Sequence, residues 1–296
     1  MKMKTTKIFG LEIVTEKQAD FWAVLKNELE KELKKGKKQK TWLLMTPNPE
    51  QIVLAEKDAK FKAAIQRADY LIPDGAGLVW ATKYFWRTKL RENYCLERIT
   101  GSDMTRKIVF WAKEKEVKVL VLGGFFEQFV VEEQELKAKK VEVSKIRLES
   151  GEKNTSVYWL QGFANIHQPT QKEKVVVRQV VVALKPAIVL VALGAPTQES
   201  WLTDNLELLQ QNGVILGMAV GGSIDFLTGK VKRAGSFWQK MNLEWFYRLM
   251  KEPWRWRRQM ALTEFMSLVA KEADAELEIK KDEMKDKFDQ VLKKRK

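Results

Sequence analysis

The sequence predicts an α/β fold, in which a mostly parallel, Rossmann-like sheet has helices on both faces and is followed by a helical C-terminal appendage. Short runs rich in Val, Leu and Ile recur along the first part of the chain, and such runs are typical of parallel strands buried on both faces. Amphipathic stretches alternate with them, as in chains that cross over between parallel strands. After residue 235 aromatic and basic residues interleave instead. We therefore divide the chain into an α/β core, 1–235, and an appendage, 236–296.

Five buried strands are predicted in order along the core. They are "TWLLMT" (41–46), "DYLIP" (69–73), "VKVLVLGG" (117–124), "AIVLVALG" (187–194) and "VILGMAVGG" (214–222). Helices are predicted between them, at 49–67, 102–115 and 198–211. Several strands end in Gly, Asp or Asn, and the carboxyl edge of an open α/β sheet is where binding sites are usually built. The functional residues are therefore expected at that edge.

The C-terminal part is predicted to be helical and strongly basic. Half of the net charge of +14 lies in residues 230–258, referred to below as the basic segment, which holds nine Lys or Arg against two Glu. This charge implies an anionic partner, which could be nucleic acid, a diphosphate or an anionic lipid surface. Pro253 predicts a helix break, with a second helix starting at about Trp254. From residue 270 onward nine basic and eight acidic residues predict a solvent-exposed helix.

The remaining composition limits the class of protein. A length of 296 residues and a hydrophobic fraction of 45% fit a globular protein. The single cysteine, Cys95, excludes an internal disulfide and fits a reducing compartment. The N-terminus lacks the apolar stretch of a secretory signal, and no apolar run is long enough to span a bilayer. We expect a protein that is cytoplasmic or lies on the cytoplasmic face of the membrane.

Two common kinds of catalytic site are disfavoured. His167 is the only histidine and is interpreted as a surface loop residue, which leaves no basis for a histidine triad or a multi-histidine metal site. The α/β part has no Asp-x-Asp, the carboxylate pair that usually holds a metal ion on a sugar nucleotide. If the chain acts on a diphosphate, cationic side chains and backbone N–H groups must therefore neutralise its charge.

Three strand ends contain glycine and could bind a ligand. "VLVLGGFF" (119–126) lacks a complete G-x-G-x-x-G and is interpreted as a tight βα turn. "ALGAPTQES" (192–200) places Gln198 and Glu199 at a helix start, with capping by Thr197 as the alternative interpretation. In "AVGGSIDFLTGKVKRAG" (219–235), Asp225 could accept a hydrogen bond from a ribose or a base, or could simply be solvated.

Two further loops form the most informative pair. "MTPNPEQ" (45–51) and "IPDGAG" (72–77) both lie where a strand gives way to a helix, so they could face each other at one sheet edge. Thr46 and Asn48 offer neutral hydrogen-bonding groups, and Asp74 offers a carboxylate. A lone carboxylate at a strand end can deprotonate a hydroxyl in a displacement reaction. An ordinary solvated turn is the alternative for each loop.

Taken together, these stretches resemble the WecG/TagA/CpsF family of bacterial glycosyltransferases (glycosyltransferase family 26). The motifs are "TPNPE" (46–50), "ADYLIPDGAGLVWA" (68–81), "RITGSD" (98–103), "LGG" (122–124), "LGAPTQE" (193–199), "GGSIDFLTGKVKRA" (221–234) and "LEWFYRLMKEPWRWRR" (243–258). They occur in the family's order over about residues 8–260. The chain departs from the family at 150–174 and in the charged tail after 270.

The resemblance implies an activity. Members transfer an N-acetylmannosamine-type sugar from a UDP donor to N-acetylglucosamine on undecaprenyl diphosphate, with inversion of configuration and without a metal ion or other cofactor. The reaction builds linkage units of wall teichoic acid or other envelope polysaccharides. A peripheral location on the inner face of the cell membrane follows, because the acceptor's lipid tail stays in the bilayer.

The resemblance also implies residue roles. Asp74 would be the general base, with Thr46 beside the reacting centre and Asn48 lining the same pocket. Gln198 and Asp225 would lie by the UDP moiety. Three arginines would contact the leaving diphosphate: Arg248, Arg255 and Arg258. Gly75 and Gly77 are expected to leave room for the sugar.

The aromatic residues of the basic segment suggest a second role for the appendage, which is contact with the membrane. Trp238, Trp245, Phe246, Trp254 and Trp256 could lie at the interface while nearby Lys and Arg meet anionic lipid. Packing of these aromatics on the core is the alternative. A homo-oligomer is compatible with the sequence, which does not determine the oligomeric state.

Two rival functions come from other classes. A nucleic-acid-binding protein would explain the basic segment, but no nucleic-acid-binding motif is present and nucleic acid is not the expected partner. A nicotinamide-dependent enzyme would fit the α/β core, but the glycine fingerprint is incomplete.

Overall fold

A ten-stranded sheet lies at the centre of the computed structural model, which describes residues 3–36, 39–124, 130–136, 141–146, 157–228, 250 and 256–294. The strands are β1 Thr5–Ile8, β2 Leu11–Val14, β3 Trp42–Met45, β4 Tyr70–Leu71, β5 Val119–Gly123, β6 Val130–Leu136, β7 Val141–Ile146, β8 Val157–Leu160, β9 Ile188–Ala192 and β10 Leu216–Ala219. The helices are α1 Gln18–Lys35, α2 Pro49–Lys57, α3 Ala59–Gln66, α4 Ala76–Arg87, α5 Gly101–Glu114, α6 Gln171–Leu184, α7 Thr197–Asp204, α8 Leu206–Gln211 and α9 Trp256–Lys294, with a 3-10 helix at Gly221–Phe226.

The strand order is β1-β2-β4-β3-β10-β9-β5-β8-β7-β6. Every neighbouring pair from β2 to β8 in this order is parallel. The pairs β1–β2, β7–β8 and β6–β7 are antiparallel and lie toward the two edges. The predicted mostly parallel sheet is thus confirmed.

Helices cover both faces of the sheet. Alternate residues of each strand point to opposite sides, so apolar strands need burial on both faces. Leu71 packs in the cluster that holds the buried residues of α2–α4 and α6–α9. Its neighbours Tyr70 and Ile72 pack in the cluster formed with α1 and α5. This confirms the prediction that helices lie on both faces of the sheet.

The structure corrects several predicted elements. The predicted helix at 49–67 is two helices, since the Asp58 side chain accepts hydrogen bonds from Lys60 N and Phe61 N and starts α3. The predicted strand at 214–222 ends at Ala219, and the residues that follow enter the 3-10 helix. The turn after β5 was predicted to lead to a helix, but the next described element is the antiparallel strand β6.

The C-terminal helix α9 packs on the core along α4. Phe265, Val269 and Ala273 are fully buried in the cluster that contains α2 and α4. The Arg91 guanidinium, just after α4, donates to the carboxylates of Glu272 and Glu276. The predicted solvent exposure from residue 270 is therefore wrong for the first turns, because Ala273 continues an apolar stripe that a count of charges does not reveal.

The two helices run in the same direction. Near the start of α4, a Cβ built on Gly77 would lie 3.4 Å from Leu262 Cδ1 and 3.7 Å from Phe265 Cε1. Beyond the end of α4, Lys280 Nζ of α9 donates to the carbonyl oxygen of Lys89 at 2.6 Å. The first turns of α9 thus lie at the carboxyl edge of the sheet, where α4 begins. The boundary between 235 and 236 stays a prediction, because residues 229–249 lie outside the described part.

No helix among the described residues is both long enough and apolar enough to cross a bilayer.

Candidate active site

Three side chains from three loops meet at the carboxyl edge, around Gly101 at the start of α5. A Cβ built on Gly101 would lie 3.1 Å from Ser223 Oγ, 3.3 Å from Asp74 Oδ2 and 3.3 Å from Thr46 Cγ2. The loops after β3, β4 and β10 are therefore adjacent here, as the sequence predicted for the first two. Only a residue without a side chain fits at position 101 without displacing one of them.

Asp74 is held in place by backbone hydrogen bonds on two sides. Its N–H donates to the carbonyl oxygen of Pro47 at 3.0 Å, which joins its loop to the loop after β3. Its Oδ2 accepts from Gly101 N at 3.1 Å. The half-buried carboxylate is thus fixed at the edge of the sheet, next to Thr46 and Ser223.

The two glycines after Asp74 serve packing and backbone conformation. Gly75 has a φ of 137°, which favours glycine. A Cβ on Gly77 would lie 2.7 Å from Pro49 Cγ, so this position is filled by protein. The expectation that Gly77 leaves room for a sugar is wrong, because α2 and α9 pack against it.

Asn48 has a structural role next to the site. It is the N-cap of α2, and its Oδ1 accepts from Gln51 N at 3.0 Å. It also lies near the loop that carries Asp74, since a Cβ on Gly75 would be 3.8 Å from Asn48 Cβ. Its predicted contact with a substrate stays a prediction.

Gln198 belongs to a buried network under the same edge. Its Oε1 accepts from Gly221 N at 3.0 Å, and its Nε2 donates to Glu199 Oε1 at 2.8 Å. Glu199 Oε1 also accepts from Gln51 Nε2 at 3.0 Å. The network therefore ties α2 and α7 to the first residue of the 3-10 helix. The alternative interpretation of Thr197 as an N-cap is wrong, because α7 begins at Thr197 and has no side-chain cap.

Burial perturbs the acid of this network. Glu199 is 1% exposed, and this desolvation raises the pKa of its carboxyl above the ordinary value, despite the hydrogen bonds from Gln198 and Gln51. Glu199 Oε2 and Gln51 Oε1 are buried and have no hydrogen-bond partner in the part of the chain that the structure describes. The position of Glu199 at a helix start was predicted from the sequence, but its role in this network was not.

Asp225 lies in the 3-10 helix that also carries Ser223 and Gly221. The side chain is half-buried, and a Cβ on Gly222 would lie 3.4 Å from its Oδ2. The structure thus places Asp225 at the same edge as Gln198. Its predicted contact with UDP is untested.

Only one of the three arginines predicted to contact the diphosphate lies in the described part of the chain. Arg248 and Arg255 lie outside the described residues, as do Trp238, Trp245, Phe246 and Trp254. Arg258 and Trp256 lie in the first turn of α9, and only their backbone is described. Their roles stay predictions.

Within the described ranges, no group of three or more His, Cys, Asp or Glu could hold a metal ion. His167 lies exposed in a turn, as predicted.

The amino-acid sequence is similar to those of known proteins over most of its length. The model of the family described as "Glycosyl transferase WecG/TagA/CpsF family" matches residues 7–277. A Bacillus subtilis (strain 168) protein named N-acetylglucosaminyldiphosphoundecaprenol N-acetyl-beta-D-mannosaminyltransferase is 30% identical over 230 residues, which is 78% of this chain and 79% of that protein. A Bacillus spizizenii (strain ATCC 23059 / NRRL B-14472 / W23) protein of the same name is 29% identical over 228 residues, covering 77% and 78%.

Proposed function

The chain belongs to the WecG/TagA/CpsF family of glycosyl transferases and is a hexosyltransferase, and we propose that it moves an N-acetylmannosamine-type sugar from a UDP donor to N-acetylglucosamine on undecaprenyl diphosphate. The names of the two Bacillus relatives support this acceptor and sugar. We further propose that the transfer inverts the anomeric configuration and needs no metal ion. The product would enter teichoic acid or another envelope polysaccharide.

The central observation is the fixed carboxylate of Asp74 beside Thr46 and Ser223. In the proposed step, Asp74 takes the proton from the acceptor hydroxyl as the hydroxyl oxygen bonds to the anomeric carbon. The bond from that carbon to the UDP oxygen breaks on the opposite side, which inverts the configuration. One carboxylate is enough for this direct displacement, and the hydrogen bond from Gly101 N orients it before the substrate arrives.

The leaving UDP carries negative charge, which needs a counter-charge. We assign this role to Arg248, Arg255 and Arg258, because guanidinium groups bind phosphate oxygens in a bidentate manner. The course of α9 supports the assignment. Leu262 approaches Gly77, three residues after Asp74, and Arg258 lies four residues before Leu262 in the same helix. Gln198 and Asp225 would bind the rest of UDP.

The test is UDP release from UDP-N-acetylmannosamine in the presence of a lipid-linked N-acetylglucosamine diphosphate acceptor, with EDTA throughout. Asp74→Asn keeps the size of the side chain but removes the base, so we expect turnover to fall about 10²–10⁴-fold. Asp204→Asn, at an exposed position at the end of α7, is the matched control and should retain activity. Full activity of Asp74→Asn would disprove the assignment of the base.

Three further arms of this experiment test the other parts of the proposal. Arg255→Ala should lower acceptor-dependent release, because it removes a counter-charge from the leaving group. Loss of wild-type activity in EDTA, with recovery on adding a divalent cation, would contradict metal independence. Release with a different UDP-sugar but not with this donor would keep the mechanism and change the substrate.

We also propose that the protein acts on the inner face of the cell membrane and touches it through the basic segment. The lipid tail of the proposed acceptor supports this location. Nucleic acid remains the rival partner for that segment, and a gel shift with DNA or RNA that weakens with salt would favour it.

A further inference from the structure

The outer side of helix α4 carries large aromatic side chains beside the candidate active site. Trp80 and Trp86 are each 42% exposed. Tyr84 stacks on Trp80, with ring centroids 5.7 Å apart. Tyr94, in the loop after the helix, lies 4.7 Å from Trp86 between ring centroids. A single exposed tryptophan on a protein surface needs no explanation, but a contiguous group of exposed aromatic side chains is typical of an interaction surface.

Basic side chains lie among these aromatics. Lys83 and Arg87 are exposed on the same helix, and Lys83 Nζ lies 6.0 Å from the centre of the Tyr94 ring. No Asp or Glu occurs from Ala76 to Arg87. The set is referred to as the α4 face and comprises Trp80, Lys83, Tyr84, Trp86, Arg87 and Tyr94. Its charge is therefore complementary to an anionic partner.

The α4 face borders the candidate active site. Helix α4 begins two residues after Asp74, and Trp80 lies six residues after it. Leu262 of α9, which approaches Gly77, is itself partly exposed and adds apolar surface at this end of the helix. A partner on the α4 face would therefore also face the entrance to the site.

We propose that the α4 face binds the surface of an anionic lipid bilayer, as a second membrane contact within the core itself. The amphipathic rings of Trp and Tyr favour the level of the lipid headgroups, and Lys and Arg are attracted to anionic headgroups. This inference rests on the proposed function, because an acceptor with an undecaprenyl tail presents its sugar at that surface. The face would hold the entrance of the site against the membrane.

The first test measures binding of the full chain to sedimented vesicles of phosphatidylcholine with and without phosphatidylglycerol. We expect Lys83→Gln with Arg87→Gln to weaken binding to the anionic vesicles roughly fivefold for each charge removed. Trp80→Ser with Trp86→Ser should weaken it by about tenfold or more, because buried aromatic area is lost. Equal binding of the wild type and both variants would overturn the proposal.

A matched control is available on the opposite side of the sheet. Arg106 lies over the ring of Phe110, at 5.4 Å from its centre, on α5, and Phe110 is 38% exposed. Arg106→Gln with Phe110→Ser therefore removes a charge and an exposed aromatic elsewhere, and it should leave vesicle binding unchanged. An equal loss in this control would overturn the assignment to α4.

A second test locates the contact directly. Cys95 is buried, and burial raises the pKa of its thiol to about 11, so the folded protein should react at an introduced cysteine instead. An environment-sensitive fluorophore on Lys83→Cys should shift to shorter wavelength on phosphatidylglycerol vesicles. The same fluorophore on Arg106→Cys should not shift. No shift at position 83, or an equal shift at both positions, would overturn the proposal.

Activity separates this inference from the proposed function. With a short-chain, water-soluble acceptor the α4-face variants should release UDP as fast as the wild type, and with an acceptor embedded in vesicles they should be slower. If the wild type released no UDP from either acceptor, the proposed function would fail, while vesicle binding would still decide the α4 face. Binding of the wild type to DNA but not to anionic vesicles would overturn the lipid proposal in favour of nucleic acid.

Discussion

Glu199 is a buried acid whose two carboxylate oxygens have different surroundings. Oε1 accepts from two glutamine side chains, whereas Oε2 has no partner among the described residues. A carboxylate without full compensation in a buried position destabilises the folded state. Because burial raises its pKa above 4.5, the folded state holds this proton to higher pH than the unfolded state does. The contribution of Glu199 to stability is therefore complete below pH 4.5 and is lost as the pH rises through the raised pKa.

We expect Glu199→Gln to remove this pH dependence. The amide keeps an oxygen for Gln51 and Gln198 but cannot ionise, so the variant should be more stable than the wild type at pH 8 and similar or less stable at pH 4.5. The measurement is Tm at both pH values, where about 1 kcal/mol corresponds to roughly 2–4 °C for domains of some 150–250 residues. Parallel pH profiles of the two proteins would show that the pKa of Glu199 is the same in the folded and unfolded states.

A substitution of Gly101 tests whether the three side chains that meet there form the reacting centre. In Gly101→Ala the new methyl group would lie 3.1 Å from Ser223 Oγ and 3.3 Å from Asp74 Oδ2, so we expect both side chains to be displaced slightly. We expect turnover to fall about tenfold to a hundredfold, with a change in stability within about 1 kcal/mol. The comparison variant is Gly222→Ala, where the methyl group would lie 3.4 Å from Asp225 Oδ2 and away from Asp74, so any loss should appear in the KM for the UDP donor rather than in turnover. Normal turnover of Gly101→Ala would mean that the reacting groups lie elsewhere.

At the scale of single residues, the sequence pointed to the local parts of the candidate site, whose roles stay predictions. Asp74 was predicted because a strand, a carboxylate and a glycine turn follow one another in a short stretch. The Gly101 convergence and the contact between Gln51 and Glu199 were not predicted, because they join residues far apart in the chain. The second contact spans 148 positions, and no local pattern records it.

At the scale of elements, the β1–β2 hairpin shows packing overriding a local signal. Its turn is made by Phe9 and Gly10, with φ of 52° and 77°, a pair of positions where Asn-Gly is the usual sequence. Phe9 tolerates this backbone because its ring is buried against Phe265 of α9, at 5.9 Å between ring centroids. A hairpin closed by a contact with the far end of the chain could not be predicted from its own sequence.

Docking of α9 should be essential for activity as well as stability. Phe265 is fully buried, and Phe265→Ala should lower the free energy of unfolding by about 3–5 kcal/mol. Turnover should also fall at temperatures where the variant is folded, because the first turns of α9 are no longer held in position beside Gly77. Chemical denaturation and UDP release measure the two effects. Ile279→Ala, at a position 58% exposed on the same helix, should change neither.

At the scale of the whole molecule, the packed structure reaches well into the C-terminal helix. The family match ends at residue 277, and Leu277 is the last residue of α9 that packs against the core cluster among those described. A chain ending at Lys281 keeps this residue and the contact from Lys280 to Lys89. We expect its Tm and turnover to match those of the full chain, measured side by side. A large loss of either would assign a function to the charged residues beyond.

The strand order also has a consequence for how this protein can fold. The centre of the sheet is β10, which lies between β3 and β9 although it is last of the described strands in the chain. Until β10 is in place, the strands β1 to β4 and the strands β5 to β9 form two groups that have no direct pairing with each other. A chain emerging from the ribosome therefore carries two open strand edges until residue 219 is available, and such edges invite pairing with other chains. Closure of the sheet is a late, long-range event, and we expect slow folding because sheets closed by long-range pairing fold slowly.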